Sequence, residues 1–153
     1  MSKLILQTSE DFKHYVGKKI GPSKWVKVTQ KKINDFAAAT DDYQWIHTDI
    51  NKANKSELKT TIAHGYFTLS LLPKFADELW ECKKIKLTLN YGSNKVRFIS
   101  PVKCNSEIRA IITILEAKNF KKGILLSSKI DIEIKNNAKI AMSAETLSLL
   151  YSN

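Results

Sequence analysis

The second half of the chain alternates apolar and polar residues with the two-residue period of β-strands, and this pattern constrains the fold most strongly. Residues 107–115 and 124–134 are predicted strands, and the last strand is predicted to run from residue 138 to about residue 150. Lys121-Lys122-Gly123 and Asn136-Asn137 are turn sequences between them. Strands joined by such short turns pair antiparallel, so an antiparallel sheet is predicted.

A long apolar segment precedes these strands. Residues 65–80 form the longest apolar stretch, and its length and spacing favour a largely buried helix over a strand. Pro73 lies in the middle, where it removes a backbone hydrogen bond, so we expect a kink or break there and not the end of the element. A buried helix followed by an antiparallel sheet predicts an α+β fold in which the sheet packs on the helix.

The remaining predicted elements are shorter. Thr29 is a plausible cap for a helix that runs to about Ala39, and the loop that follows contains His47. The other segments are a helix from Ser9 to about Val16, a strand over 25–29, a short helix or turn from Asp49 to about Lys55, and strands over 85–89 and 96–99 separated by a turn at 90–93.

Length and composition are those of one globular domain spanning residues 1–153. No apolar run reaches the roughly 18 residues of a membrane span, and the first residues lack the apolar core of a signal peptide. We therefore expect a cytoplasmic protein. Cys82 and Cys104 lie in different predicted elements, and we expect them to be reduced thiols without a chemical role.

The formal net charge of +10 is large and has three explanations. Only two residues, Arg97 and Arg109, are arginine, and the lysines are scattered along the chain. This distribution argues against nucleic-acid recognition, which favours the bidentate arginine fork and dense basic blocks. Lysine enrichment from codon bias in an AT-rich genome, and attraction of an anionic, phosphate-bearing substrate, remain as explanations.

A carboxylate, an imidazole and a glycine provide the chemistry that the sequence suggests. Asp42 is followed five residues later by His47, and Gly65 begins the long apolar segment. A carboxylate and an imidazole held together can orient one water molecule and transfer its proton. A glycine amide at the start of a helix can bind a developing oxyanion. These three parts are what the addition of water to an activated double bond requires.

Three separate motifs resemble those of one known family. Residues 40–49 read Thr-Asp-Asp-Tyr-Gln-Trp-Ile-His-Thr-Asp, and residues 60–73 read Thr-Thr-Ile-Ala-His-Gly-Tyr-Phe-Thr-Leu-Ser-Leu-Leu-Pro. Residues 89–98 read Leu-Asn-Tyr-Gly-Ser-Asn-Lys-Val-Arg-Phe. Together they resemble the MaoC-like dehydratases, which include the (R)-specific enoyl-CoA hydratases, or hydratase 2. The variant is similar to the nodulation-protein-N-like branch, and the resemblance covers roughly residues 10–150.

The resemblance implies a hotdog fold, in which a long helix is wrapped by an antiparallel sheet, and usually a homodimer. It implies that Asp42 and His47 hold the catalytic water and that the Gly65 amide binds the thioester carbonyl. Ser70 and Asn90 are further candidates for substrate binding, although a structural role also suits Asn90. Some hydratases carry a serine at the position of Pro73, and the role of that serine does not transfer to this chain.

The resemblance also implies the reaction. The expected substrate is a trans-2-enoyl thioester of coenzyme A. It is expected to be hydrated to a (3R)-3-hydroxyacyl thioester without a cofactor or a metal. We expect His64 to fix the loop beside Gly65. We do not expect His47, Asp49 and His64 to bind a metal, because His-x-Asp is not a standard ligand pair and no cysteine or third histidine completes a set nearby. The alternatives are a hotdog acyl-CoA thioesterase and a non-catalytic module that binds acyl thioesters. We expect neither nucleic acid nor membrane as a partner.

Overall fold

The main antiparallel sheet has six strands, and it accounts for most of the described structure. The computed structural model describes residues 3–152. In chain order, the strands are β1 (Leu4–Leu6), β2 (Lys19–Ile20), β3 (Val26–Lys27), β4 (Trp80–Cys82), β5 (Ile85–Phe98), β6 (Glu107–Phe120), β7 (Gly123–Ile134) and β8 (Met142–Ser152). The spatial order is β2-β6-β7-β8-β5, with β3 also paired to β6, while β1 and β4 form a separate parallel pair.

Two consecutive helices, α4 (Gly65–Ser70) and α5 (Leu72–Leu79), form the long helical segment. Pro73 is the second residue of α5, where its missing N–H removes no helical hydrogen bond, so the predicted break at this proline is confirmed. The apolar side of α5 is buried in the same hydrophobic cluster as the inward-facing isoleucines of the sheet. The predicted α+β arrangement of a sheet packed on a helix is therefore confirmed.

Three shorter helices, α1 (Gln30–Thr40), α2 (Trp45–Thr48) and α3 (Ile50–Lys55), lie between β3 and α4, and a 3-10 helix spans Ser9–Tyr15. Thr29 caps α1 as predicted, since its hydroxyl accepts a hydrogen bond from the Lys32 N–H. The prediction of a loop around His47 was wrong, because His47 lies in α2. This helix is only one turn long, too short for apolar periodicity to reveal it.

The predicted turn at residues 90–93 does not exist. Strand β5 runs unbroken through it and pairs with β8 along its whole length. Register shifts between Asn90 and Gly92 and between Ser93 and Lys95 accommodate the residues that suggested a turn. Glycine and polar residues favour turns, and they are also tolerated at β-bulges. The local sequence therefore does not distinguish a turn from a bulge.

Strand β5 lies at one end of the sheet and is exposed to solvent along nearly all of its length. Even its large apolar side chains are exposed to solvent: Leu87, Leu89 and Tyr91 are each between 44% and 52% exposed. Within residues 3–152, no helix combines the length and the apolar character needed to cross a lipid bilayer.

Candidate active site

His47 is buried, lines a pocket, and is held by the backbone carbonyl of Ile62 and the side chain of Gln30. Its Nδ1 lies 2.7 Å from the carbonyl oxygen of Ile62. Because a carbonyl can only accept, Nδ1 carries the hydrogen and Nε2 keeps its lone pair. The side chain of Gln30 donates a hydrogen bond of 2.8 Å to the His47 carbonyl and accepts one from the Thr61 hydroxyl. The ring is thus fixed in the tautomer that leaves Nε2 available as a base.

His64 stacks against His47 and contacts the backbone of Asp42. The two imidazole rings lie 3.7 Å apart between centroids, at an interplanar angle of 26°. His64 Nε2 donates to the Asp42 carbonyl oxygen at 3.0 Å, so His64 Nδ1 is the nitrogen with the lone pair. That atom is buried and has no hydrogen-bond partner among the described residues. The predicted role of His64 in fixing the local chain agrees with these contacts.

Asp42 lies just after the end of α1, where the chain turns back. Asp41, with φ of 55°, ends the helix in the left-handed conformation. The Asp42 side chain is 52% exposed, and its Oδ2 is 3.9 Å from His64 Nε2. Asp42, His47 and His64 each offer one nitrogen or oxygen atom, and these three atoms lie within 4.8 Å of one another. One water can bridge such a separation, since two hydrogen bonds of about 2.8 Å at a tetrahedral angle span roughly 4.6 Å.

The environment of His47 favours its neutral form. Burial lowers the pKa of His47 most strongly, and the neighbouring His64 lowers it further. The hydrogen bond to Ile62 and the charge of Asp42 act in the opposite direction, but the net pKa is below the ordinary value. A neutral histidine with a free Nε2 is suited to accept a proton at neutral pH.

The pocket beside His47 has a volume of about 330 Å³ and a mainly apolar lining. Gly65 and Thr68 contribute from α4, and Phe98 contributes from the end of β5. Gly65 is the first residue of α4, so its N–H has no acceptor within the helix. A Cβ at this position would lie 3.0 Å from three atoms of the Phe98 ring. Glycine therefore permits the aromatic ring to pack directly on the backbone that carries this amide.

The Asp42, His47 and His64 cluster has the residue types of a metal site, but its hydrogen bonding does not fit one. The His64 nitrogen that faces the Asp42 carboxylate is Nε2, which donates its hydrogen to a backbone carbonyl. A metal ligand must be an unprotonated nitrogen, and ligation would break this bond. The arrangement suits proton transfer better than metal coordination.

The structure brings together three of the five residues that the sequence proposed for the site. His47 and Gly65 line the pocket, and the polar atoms of Asp42 lie next to those of His47. Ser70 is exposed and donates its hydroxyl hydrogen to the Tyr66 carbonyl, and it does not line the pocket. Asn90 lies in the exposed part of β5, also away from the pocket.

Residues 11–134 match the MaoC-like domain family. The chain belongs to this family. It is 41% identical to the 3-hydroxyacyl-thioester dehydratase Z of Mycobacterium tuberculosis over 132 residues, which cover 86% of this chain and 87% of that protein. It is 35% identical to nodulation protein N of Rhizobium meliloti, over 94% of this chain and 91% of that one. The predicted family and branch are confirmed.

A solved structure of an R-hydratase from Pseudomonas aeruginosa shares the fold of this MaoC-like chain. The TM-score is 0.73 at 20% identity, over 90% of this chain and 83% of that one. This similarity confirms the predicted hotdog fold.

Sequence reasoning missed the residues that hold His47 in place. Gln30 and Thr61 are 31 positions apart, and both are ordinary polar residues in the sequence. Phe98 was noted only as part of a motif, although it packs on Gly65. No local pattern reveals such contacts, because they depend on how distant segments meet.

Proposed function

We propose that this protein catalyses the reversible addition of water to a trans-2-enoyl thioester of coenzyme A, giving the (3R)-3-hydroxyacyl thioester. The observation that carries the proposal is the cluster of Asp42 and His47 beside an apolar pocket whose lining includes Gly65. An acid–base pair next to an amide donor is what hydration of a polarised double bond needs. The name of the 41% identical relative, a 3-hydroxyacyl-thioester dehydratase, describes the reverse of the same reaction.

The proposed reaction begins with the thioester carbonyl accepting a hydrogen bond from the Gly65 N–H. This bond stabilises the negative charge that develops on the carbonyl oxygen as water attacks C3. Asp42 accepts a hydrogen bond from the water, and His47 Nε2 removes its proton. The enolate then takes a proton at C2 from the His47 imidazolium. Oxygen is added at C3 and hydrogen at C2, and both side chains return to their starting states.

The proposal is tested with crotonyl-CoA and the purified chain. We expect the enoyl absorbance to fall without release of free thiol, whereas a thioesterase would release thiol and a binding module would change neither signal. Asp42→Asn and His47→Ala should each lower kcat by about 100-fold or more, the usual scale for a general acid or base. Asp41→Asn is the matched control, because the exposed neighbouring carboxylate is removed and asparagine tolerates the left-handed conformation.

The control variant should retain wild-type turnover, and all three variants should melt near the wild-type temperature. Near-normal activity of a folded Asp42→Asn or His47→Ala variant would contradict the assigned roles. Chiral analysis of the 3-hydroxyacyl product tests the proposed (3R) configuration separately, since an S product would leave the hydration chemistry intact.

We also propose that the protein is a homodimer joined through β5. This strand spans residues Ile85–Phe98 at the end of the sheet, and almost all of it is exposed. A long edge strand, paired on one side only and with exposed Leu87, Leu89 and Tyr91, is a template for pairing with another strand. A second copy of the chain would satisfy both its free backbone groups and its apolar side chains.

A further inference from the structure

A basic cleft adjoins the candidate active site on the outer face of the sheet. It has a volume of about 370 Å³ and is lined by Lys95, Arg97 and Lys129, together with Glu145 and Ile99. Ile99 also lines the pocket that contains His47. The two cavities therefore share Ile99, just beyond the end of β5, with one cavity on the helix side of the sheet and the other on its outer side.

The register of the strands explains why these charges share one face. Arg97 lies opposite Ser143, and Lys95 lies opposite Glu145, which is also opposite Lys129. The intervening residues point into the core, as buried Met142 and Ala144 do. The outward positions at this end of β5, β8 and β7 thus form one continuous polar surface.

Two cations of this surface lack a carboxylate partner. Lys129 pairs with Asp131 at 3.1 Å. Across the described residues, no salt bridge involves Lys95 or Arg97, and the Arg97 guanidinium donates only to the Val96 carbonyl of its own strand. Arg109, the other arginine, is paired with Glu133 at 2.6 Å. Within residues 3–152, the guanidinium without a carboxylate partner is therefore that of Arg97, beside the candidate active site, with Glu145 as the opposing charge in the cleft.

This chemistry suits a phosphate group. An arginine presents parallel N–H donors that match two phosphate oxygens, and a nearby lysine adds a compact positive charge. A thioester whose acyl group occupies the apolar pocket must lead its carrier arm out of that pocket. Ile99 lines both cavities, so an arm that left the pocket past this residue would come next to the cleft of Lys95 and Arg97.

We propose that Lys95 and Arg97 bind the phosphate of the phosphopantetheine arm that carries the acyl group. The inference rests on the proposed function for the position of the acyl group. The phosphate belongs either to coenzyme A or to the prosthetic group of an acyl carrier protein, since both carry the same arm.

A second lysine-rich cleft provides a matched control. It lies at the opposite end of β5 and β8 and is lined by Lys84 and Lys122, which also have no salt bridge among the described residues. Lys95→Gln/Arg97→Gln and Lys84→Gln/Lys122→Gln remove the same total charge. A difference in coenzyme A affinity between the two double variants therefore separates a local phosphate site from general attraction by a basic protein.

The experiment measures binding of coenzyme A, 4′-phosphopantetheine and pantetheine by calorimetry, and hydration of crotonyl-CoA and crotonyl-N-acetylcysteamine. For Lys95→Gln/Arg97→Gln we expect the Kd of coenzyme A and the KM of crotonyl-CoA to rise about 5- to 20-fold, as for loss of exposed charge-assisted hydrogen bonds. Its kcat, and its kcat/KM for the phosphate-free thioester, should stay within about twofold of wild type. The control pair should bind coenzyme A as the wild type does.

The remaining outcomes are also informative. An equal loss for 4′-phosphopantetheine and coenzyme A supports binding of the arm phosphate, which carrier proteins share. A loss for coenzyme A alone would place the contact on phosphates found only in that molecule and would overturn the assignment to the arm. Wild-type coenzyme A affinity in Lys95→Gln/Arg97→Gln, or an equal loss in the control pair, would overturn the proposal. If wild type hydrates neither thioester but the Kd differences persist, the proposed reaction fails and the phosphate site stands.

Discussion

The His47 ring is oriented by a backbone carbonyl group and not by an acidic side chain. The Ile62 carbonyl fixes the hydrogen on Nδ1, and Gln30 anchors the His47 carbonyl. Burial and the stacked His64 ring favour the uncharged form, while Asp42 favours the charged one. The residue is therefore arranged as a neutral base whose free nitrogen is Nε2.

The lowered pKa of His47 predicts how activity depends on pH. Hydration should be maximal above about 6.5, the ordinary histidine pKa, and should fall at lower pH as Nε2 takes up a proton. We expect the half-maximal point of kcat/KM for crotonyl-CoA to lie below 6.5, because burial lowers the pKa. A pH profile recorded from about 5 to 8 checks this, and a half-maximal point above that value would contradict it.

The same shift predicts a change of stability with pH. The unfolded chain protonates this histidine near 6.5, whereas the folded chain does so only at lower pH. Between these two values the unfolded state binds more protons, so the free energy of unfolding falls as the pH falls. His47→Gln should flatten this part of the pH dependence in chemical denaturation, and an unchanged slope would contradict the linkage.

Replacing His64 by phenylalanine should lower turnover without lowering stability. His64→Phe keeps a flat ring against His47 but removes the buried, unpartnered Nδ1 and the N–H that holds the Asp42 carbonyl. We expect an unchanged or higher melting temperature, because the Asp42 backbone is exposed enough to bond water. We expect kcat to fall about 3- to 10-fold, the equivalent of one hydrogen bond that positions Asp42.

A purely structural His64 would give a different result. In that case the melting temperature and kcat of His64→Phe would fall together, or kcat would not change. His64→Gln restores an N–H donor without the ring, so partial recovery of kcat in this variant would support the role of the hydrogen bond.

At the residue scale, the sequence pointed to residues that the structure brings together, but not to the residues that hold them in place. Asp42 and His47 are close in the chain, and a recognisable motif placed them together. The contact of Gln30 with Thr61 joins residues of two separate segments, and no periodicity reports it. Ser70 was proposed for the pocket, but its hydroxyl bonds to the preceding turn of α4. A polar residue within a helix has this local alternative, and sequence alone does not decide between the two.

The start of α4 predicts a test of the amide donor. Gly65→Pro removes the N–H at the first position of a helix, where proline is well tolerated. His64 has φ of −59° and ψ of 140°, a conformation that a following proline allows. We therefore expect the fold to persist while kcat falls about 100- to 1,000-fold, as for loss of an oxyanion donor. Circular dichroism and the crotonyl-CoA assay measure the two effects.

Gly65→Ala is the control for this substitution. Its methyl group meets the Phe98 ring at the same distance of 3.0 Å, but the N–H remains. The activity difference between the proline and alanine variants isolates the amide from the steric effect. Equal activities in the two variants would show that the Gly65 amide does not stabilise the reaction.

At the element scale, the predictions of a cap and a break, which depend on neighbouring residues in the chain, were correct, whereas that of a turn, which depends on a paired strand, was wrong. The break at Pro73 was predicted correctly, because proline acts on the helix that contains it. The turn at residues 90–93 was wrong, because pairing with β8 keeps β5 extended through two register shifts. The cap at Thr29 was predicted correctly, and its hydroxyl accepts from the Lys32 N–H. Local chemistry predicts caps and breaks, whereas continuity of a strand depends on its neighbour.

At the scale of the whole molecule, the exposed β5 strand predicts a dimer that one substitution can weaken. Leu89 in β5 and Ile50 in α3 are 44% and 50% exposed, so Leu89→Lys and Ile50→Lys make comparable changes at two surfaces. We expect the wild type and Ile50→Lys to sediment as dimers. Leu89→Lys should shift towards monomer, because a charge in a paired apolar interface is costly to bury. Sedimentation velocity measures all three.

The outcomes separate a dimer at β5 from other assemblies. A monomeric wild type would contradict the homodimer, and a dimer disrupted only by Ile50→Lys would place the interface elsewhere. Because the pocket is lined in part by Phe98, at the end of β5, loss of the dimer should also disturb the site. We therefore expect the kcat/KM of Leu89→Lys for crotonyl-CoA to recover as its concentration, and with it the dimer fraction, increases.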